Sequence, residues 1–310
     1  MATILFTHPA AAGHETPPGH PEQVARIEAI WQALEAPEFA ALGRREAPPA
    51  DEVDILRCHP ESLLARYRAE APTEGLQPLD PDTWMSPGTL DAAVRAAGGA
   101  CAAVDAVLAG EATNAFVAMR PPGHHAETET PMGFCLFGTV AIAAKRALDH
   151  HGLGRVAVLD FDVHHGNGTQ DLLWDEGRAF FASSHQWPLY PGTGRPGERG
   201  AHGQIMNVTL APATGGAEMR AAWEEILAAA LDFRPELVLV SAGFDPHRDD
   251  PLAGLTWETE DFAWITHAIC DLAEDACEGR VVSTLEGGYD LPALAAAVAA
   301  HVGVLMERGA

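Results

Sequence analysis

The stretch Val156-Ala157-Val158-Leu159-Asp160-Phe161-Asp162-Val163-His164-His165-Gly166-Asn167-Gly168 decides how the rest of the chain is read. Val156 to Leu159 is a short apolar run rich in valine, which predicts a buried strand. In an extended chain Asp160, Asp162 and His164 leave one edge at steps of roughly 6.5 Å, while Phe161 and Val163 turn the other way into packing. Hard carboxylates with an imidazole suit a divalent metal, and three protein ligands with an open position form the catalytic arrangement rather than the closed structural one. The stretch supplies two such ligands, so a third has to come from elsewhere.

Working outward, strand and helix alternate on both sides. Strands are expected at Thr3 to Thr7, Asn114 to Met119, Phe180 to Ser183, Ile205 to Leu210, Glu236 to Ser241 and Val281 to Leu285. Helices are expected at about Glu22 to Leu34, from near Pro60, from Ser86-Pro87-Gly88-Thr89 to Gly110, through Ala147, and over Gly216 to Leu231, Glu258 to Cys277 and Leu291 to Val304. Thr73 to Pro87 reads as irregular. The Gly/Pro-rich Gln186 to Gly203 is too long for a mere connection and is a candidate substrate lid or wall. This alternation predicts an α/β fold with a mostly parallel sheet covered on both faces. No linker or low-complexity run interrupts the 310 residues, so residues 1–310 are expected to form a single catalytic domain.

A formal net charge of −25 argues against a nucleic-acid partner, because phosphates need Lys and Arg to neutralise them. The five cysteines show no CxxC pair and are odd in number, against both a zinc knuckle and a disulfide framework. With no basic leader and no apolar stretch approaching a membrane span, a cytoplasmic protein without membrane contact is expected.

Four apolar strands are each followed by chemically active residue types: His124-His125, Asp160/Asp162/His164, Asp245, and Glu286-Gly287-Gly288-Tyr289. In parallel α/β sheets ligands bind beyond the carboxyl ends of strands, so the four groups can meet at one rim. With Asp245 as third ligand a zinc ion fits, acidifying a bound water and polarising a carbonyl. His124 and His125 can then act as base and acid, and Tyr289, behind two glycines, can donate its hydroxyl proton to an oxyanion. His150, His151, His267 and His301 fall in helices and, with His247, read as solvated or capping. His185 starts the lid loop and is ambiguous. Arg26 reads from position alone as a surface arginine.

The motifs RPPGHHA at 120–126, GFC at 133–135, DFDVHHGNGTQ at 160–170, SAGFDPHRDDPLAG at 241–254 and LEGGY at 285–289 resemble the histone deacetylase family, in order and spacing, across nearly the whole chain. The resemblance implies the arginase/deacetylase fold with an eight-stranded parallel sheet, and zinc-dependent removal of acyl groups from amines. Position by position it makes Asp162, His164 and Asp245 the zinc ligands, His125 the general base, His124 its electrostatic partner and Tyr289 the hydrogen-bond donor to the transition state. It makes Asp160 a residue that orients His124 and joins a potassium site, completed by the backbone of Asp162 and His164, the Ser183 hydroxyl and the Ser184 carbonyl. Gly133, Phe134, Tyr190, Leu252 and Gly287 fall at substrate-binding positions, and Arg26 matches the arginine of an internal acetate channel.

Three departures bear on specificity. Asn167 stands where class I members have an Asp behind the base, as in class II-like members. Tyr190 replaces the usual Phe of the tunnel wall. Leu252 sits where polyamine-specific relatives carry a glutamate. The expected substrate is therefore an acyl-lysine, with an acetylpolyamine or another small amide as the alternative. A poorly catalytic acyl-amine binding protein is a further one. The two-manganese chemistry of the arginase branch ranks last, because no Asp-x-His-x-Asp bridge pattern is found.

Overall fold

The computed structural model describes residues 3–310. Its centre is an eight-stranded, all-parallel sheet in the order β2-β1-β5-β10-β9-β6-β7-β8. Along the chain these strands are β1 (Thr3–Thr7), β2 (Gly43–Glu46), β5 (Asn114–Val117), β6 (Val156–Asp160), β7 (Ala179–Gln186), β8 (Ile205–Leu210), β9 (Val238–Ala242) and β10 (Val281–Leu285). The central strands β5, β6, β9 and β10 are buried along their whole length, which is why their sequences are continuous Val/Leu/Ala runs rather than alternating ones.

Helices α4 (Thr89–Leu108) and α5 (Thr139–Asp149) pack together on one face, with α2 (Glu52–Ile55), α3 (Glu61–Glu70) and α6 (Asn167–Leu172) at that side. Helices α1 (Val24–Ala33), α7 (Gly216–Phe233), α8 (Thr259–Cys277) and α9 (Leu291–Gly309) cover the other. Helix α8 begins with a capping box: the Glu258 side chain takes the Asp261 amide and the Asp261 side chain takes the Glu258 amide.

Several expectations are corrected. The edge strand β2 escapes the sequence because it reads Gly-Arg-Arg-Glu and is largely exposed; its charges also discourage further strand pairing. The segment expected to be irregular holds a small antiparallel hairpin, β3 (Gln77–Pro78) with β4 (Trp84–Met85). Helix α9 runs past Val304 to Gly309, so one helix is, by length and composition, apolar enough to cross a membrane. It packs against α1, α8 and the sheet, and its apolar character serves that contact. All five cysteines are free and buried.

Candidate active site

Strands β5, β10, β9 and β6 are direct neighbours, and the four residue groups singled out above follow their carboxyl ends, with β7 alongside. The rim is built by the loops that leave these strands. After Asp160 the chain leaves the sheet, contrary to the extended geometry expected for the whole motif. Asp160 Oδ1 accepts from the Asp162 amide at 3.1 Å and Asp162 Oδ1 from the His164 amide at 2.8 Å, so each carboxylate holds the residue two further on. Short-range turns, not strand alternation, aim these side chains.

Asp162, His164 and Asp245 each offer a ligand atom within 4.8 Å of the others, and all three are buried. Asp162 Oδ2 accepts from the Gly287 amide at 2.8 Å and Asp245 Oδ1 from the Val163 amide at 3.0 Å. Asp245 Oδ2 is buried and receives no hydrogen bond among the described residues, although His164 Nδ1 lies 3.2 Å away. Burial opposes charge on His164, yet Asp162 and Asp245 outweigh it and raise the imidazole to about 10. Two buried carboxylates thus call for a cation, and an orphaned carboxylate oxygen inside an Asp2His set fits a divalent metal. Gly287 is what lets the two carboxylates converge: a Cβ there would overlap Asp245 Oδ2 and lie 2.7 Å from Asp162 Oδ2. Its N–H is given to Asp162 and its carbonyl accepts from Phe244, so it lies behind the ligands.

His124 is held by carboxylates at both ring nitrogens: Asp160 Oδ2 is 3.0 Å from Nδ1 and Asp162 Oδ2 is 3.8 Å from Nε2. Burial disfavours its charge, but these two carboxylates raise it well above the ordinary range. His125 goes the other way, because burial is reinforced by the charges of His124 and His164. Its Nδ1 lies 2.7 Å from Asn167 Oδ1 and its Nε2 makes no hydrogen bond among the described residues. Tyr289 is nearly buried with its hydroxyl unpartnered there, and burial keeps the phenol protonated, well above 10. The Phe134 ring lies 5.9 Å from that of Tyr289, and the Tyr190 ring 5.2 Å from that of His125. These aromatics therefore flank the two groups able to move a proton. A Cβ on Gly133, at φ 55°, would overlap the His125 ring.

Asp160 and Ser183 are register partners on β6 and β7. The Ser183 hydroxyl lies 3.0 Å from His185 Nδ1, and the Ser184 hydroxyl accepts from Trp223 Nε1 at 2.9 Å. His185 lies within β7 rather than at the start of the following loop, and it is buried between Ser183 and the Gly194 carbonyl, the latter at 2.9 Å.

Arg26 is not a surface residue. It is fully buried, donates to the carbonyls of Gly288 and Glu286 at 2.6 Å each and to Glu22 Oε1 at 2.8 Å, and stands 4.8 Å from the centre of the Tyr289 ring. His301 and His247 are also buried rather than solvated; His301 bridges Thr266 and Ser283, and His247 stacks on Phe262.

Sequence reasoning gave no role to several residues that brace the site. Glu286 accepts from the amides of Gly123 at 2.7 Å and His124 at 3.1 Å, which positions the histidine pair from behind. Its place directly after a strand in the last motif was the available signal. Asp250 accepts from the Tyr289 amide at 2.7 Å and from the Leu252 amide at 2.9 Å, tying the tyrosine to the loop at the expected substrate rim. Glu22 binds both Arg26 and Arg120 in the core, a pairing between segments 98 residues apart that no local pattern announces.

Known proteins are similar to this chain over most of its length. A family model described as the histone deacetylase domain matches residues 20–305. The rice protein named histone deacetylase 10, chloroplastic (Oryza sativa subsp. japonica) is 40% identical over 319 residues, covering 96% of this chain and 72% of the relative. The histone deacetylase-like amidohydrolase of Pseudomonas aeruginosa is 41% identical over 286 residues, covering 91% and 74%. The probable deacetylase of Archaeoglobus fulgidus is 37% identical over 298 residues, covering 94% and 82%. Among solved structures, the crystal structure of the HDA15 HD domain superposes with a TM-score of 0.93 at 29% identity, over 99% of this chain and 88% of that one. With the parallel sheet and the convergent rim already in place, these matches establish that the chain belongs to the histone deacetylase family of deacetylases and amidohydrolases.

Proposed function

We propose that the chain is a zinc-dependent deacylase that removes acetyl or other acyl groups from amines, with acyl-lysine as the substrate class. The observation that carries this reading is the buried, unbonded Oδ2 of Asp245, set against Asp162 and His164 beside a neutral His125 and a protonated Tyr289. Asp162, His164 and Asp245 would hold the ion. Bound there, zinc supplies Lewis acidity toward an acyl carbonyl and toward water.

The chain's own residues do the rest. His125 Nε2 takes the proton of the attacking water and later returns it to the leaving amine. Tyr289 donates its O–H to the oxygen on which negative charge develops. His124, held charged between Asp160 and Asp162, adds a fixed positive field. Phe134 and Tyr190 grip the apolar stem of the substrate, the Gly133 carbonyl and Leu252 meet it near the mouth, and Gly287 shapes the floor. Potassium is assigned to Asp160, Ser183, the Ser184 carbonyl and the backbone of Asp162 and His164, where it would steady the loop that carries two zinc ligands. Arg26, buried behind Tyr289, is assigned to the exit of the acetate product. The domain is taken as residues 1–310, acting as a cytoplasmic hydrolase on an acylated amine, without nucleic-acid or membrane partners.

A panel of acetyl-lysine peptide, longer acyl-lysine peptides and acetylspermidine, run with metal analysis, tests the reading. Preferential hydrolysis of an acyl-lysine peptide is expected. A strong preference for acetylspermidine would move the substrate to the polyamines, and zinc binding without hydrolysis of any member would make the chain a binding protein.

A further inference from the structure

Behind His125 stands not one residue but two. Asn167 Oδ1 lies 2.7 Å from His125 Nδ1, and Asn167 Nδ2 donates to Glu127 Oε1 at 2.8 Å. Carboxylate, carboxamide and imidazole therefore form a line that ends on the base. A carboxamide has a donating end and an accepting end, and nothing in asparagine itself decides which end faces the ring. Here the surroundings decide. The Nδ2 group is met by acceptors alone: Glu127 Oε1, the His125 carbonyl at 3.4 Å and Met132 Sδ at 3.3 Å. With the amide reversed, its oxygen would stand against a carboxylate oxygen with no proton between them.

Glu127 is itself fixed in place. Its amide donates to the Thr130 carbonyl at 3.0 Å, and the next residue, Thr128, donates its amide and hydroxyl to Asp171 Oδ2 at 2.8 and 2.6 Å. Asp171 lies on α6, the helix that opens with Asn167, so the turn bearing Glu127 is clipped to the element bearing its partner. The consequence reaches the ring. With Asn167 Oδ1 accepting, His125 must carry its proton on Nδ1, and the neutral ring keeps its lone pair on Nε2, the nitrogen that no protein group occupies.

We propose that Glu127 is a positioning residue, orienting the Asn167 amide and through it fixing the Nδ1–H tautomer of His125 that a general base requires. The inference rests on the assignment of His125 as base, but the tautomer itself can be read without turnover. Glu127→Gln keeps the shape and can donate as well as accept, so it frees the amide to reverse. In Asn167→Asp two carboxylates would meet. In the Glu127→Gln/Asn167→Asp double variant, Gln donates to Asp, and Asp accepts from His125 with no orientation left to choose.

The test is kinetics on an acetyl-lysine peptide together with long-range proton–nitrogen spectra of the histidine-labelled protein, the His125 signals being identified by their loss in His125→Ala. Glu127→Gln is expected to lower kcat roughly 10- to 100-fold with KM little changed, and to populate Nε2–H in His125. The double variant should return kcat to within about threefold of the wild type and restore Nδ1–H alone, a non-additivity that a merely structural role would not produce. Glu127→Gln with an unchanged tautomer, or a double variant worse than either single one, would overturn the proposal. If the wild type hydrolyses no acyl amine, the spectra still decide the role of Glu127, and only the functional reading fails.

Discussion

His124 and His125 are consecutive residues whose rings stand 4.0 Å apart, and the protein drives them to opposite protonation states. Burial works against charge on both. Asp162 and Asp160 reverse this for His124, whereas His125 meets a neutral amide and the positive ring of His124. The base is thus kept unprotonated below the ordinary histidine value of about 6.5, because adding a proton would place a second charge beside His124. The acid limb of kcat/KM is expected below pH 6.5. His124→Gln, which removes the neighbouring charge, should shift that limb upward while lowering the plateau; a downward shift would refute the assignment.

Two glycines separate metal binding from proton transfer. Gly287→Ala would push a methyl group into Asp245 and Asp162, so zinc content should fall along with activity. Gly133→Ala would press on the His125 ring at a positive φ, so zinc should remain near one equivalent while kcat falls by about 100-fold. Metal analysis of the two purified variants checks the contrast.

Asp250 links the mouth to the chemistry. Asp250→Ala leaves the Tyr289 and Leu252 amides without their acceptor, which should cost about 1–3 kcal/mol of stability and, by loosening Tyr289, about tenfold or more in kcat with zinc retained. Denaturant unfolding, metal analysis and steady-state kinetics on one preparation report all three.

His301 should make the protein acid-sensitive from its core. Thr266 Oγ1 donates to the Phe262 carbonyl, so it accepts from His301 Nδ1, and Ser283 donates to Nε2. Burial lowers the ring to about 3, while the unfolded chain titrates near 6.5. Between these values the unfolded state binds the extra proton, so the stability contribution is complete above 6.5 and is lost as pH falls toward 3. From pH 7.5 to 5.0 this amounts to about 2 kcal/mol. His301→Gln should be less stable at pH 7.5 but lose about that much less on acidification, as denaturant titrations at the two pH values would show.

The sheet was legible wherever burial on both faces writes itself as an apolar run, as in Val156–Leu159 and Val281–Leu285. It was illegible at β2, whose Arg-rich edge strand is defined by pairing with β1 and not by its own pattern. The rim was legible because polar residues after buried strands have few other reasons to be there. Arg26, Asp250 and His301 were not, since their roles come from partners far along the chain: the carbonyls of Glu286 and Gly288, the amide of Tyr289, and Thr266 with Ser283. The geometry of the motif starting at Asp160 was not legible, because turns held by carboxylates can imitate the alternation of a strand.

In the proposed function Asp162, His164 and Asp245 hold the one metal on which acyl-amine hydrolysis depends. This assignment is tested most directly by stripping the protein with a chelator and titrating zinc back while following hydrolysis of an acetyl-lysine peptide, with Asp245→Asn in parallel. Activity is expected to disappear on stripping and to return linearly to a break at one zinc per chain, while Asp245→Asn binds zinc weakly and stays inactive. Hydrolysis that survives complete removal of metal, or an Asp245→Asn protein that binds zinc and turns over like the wild type, would contradict it.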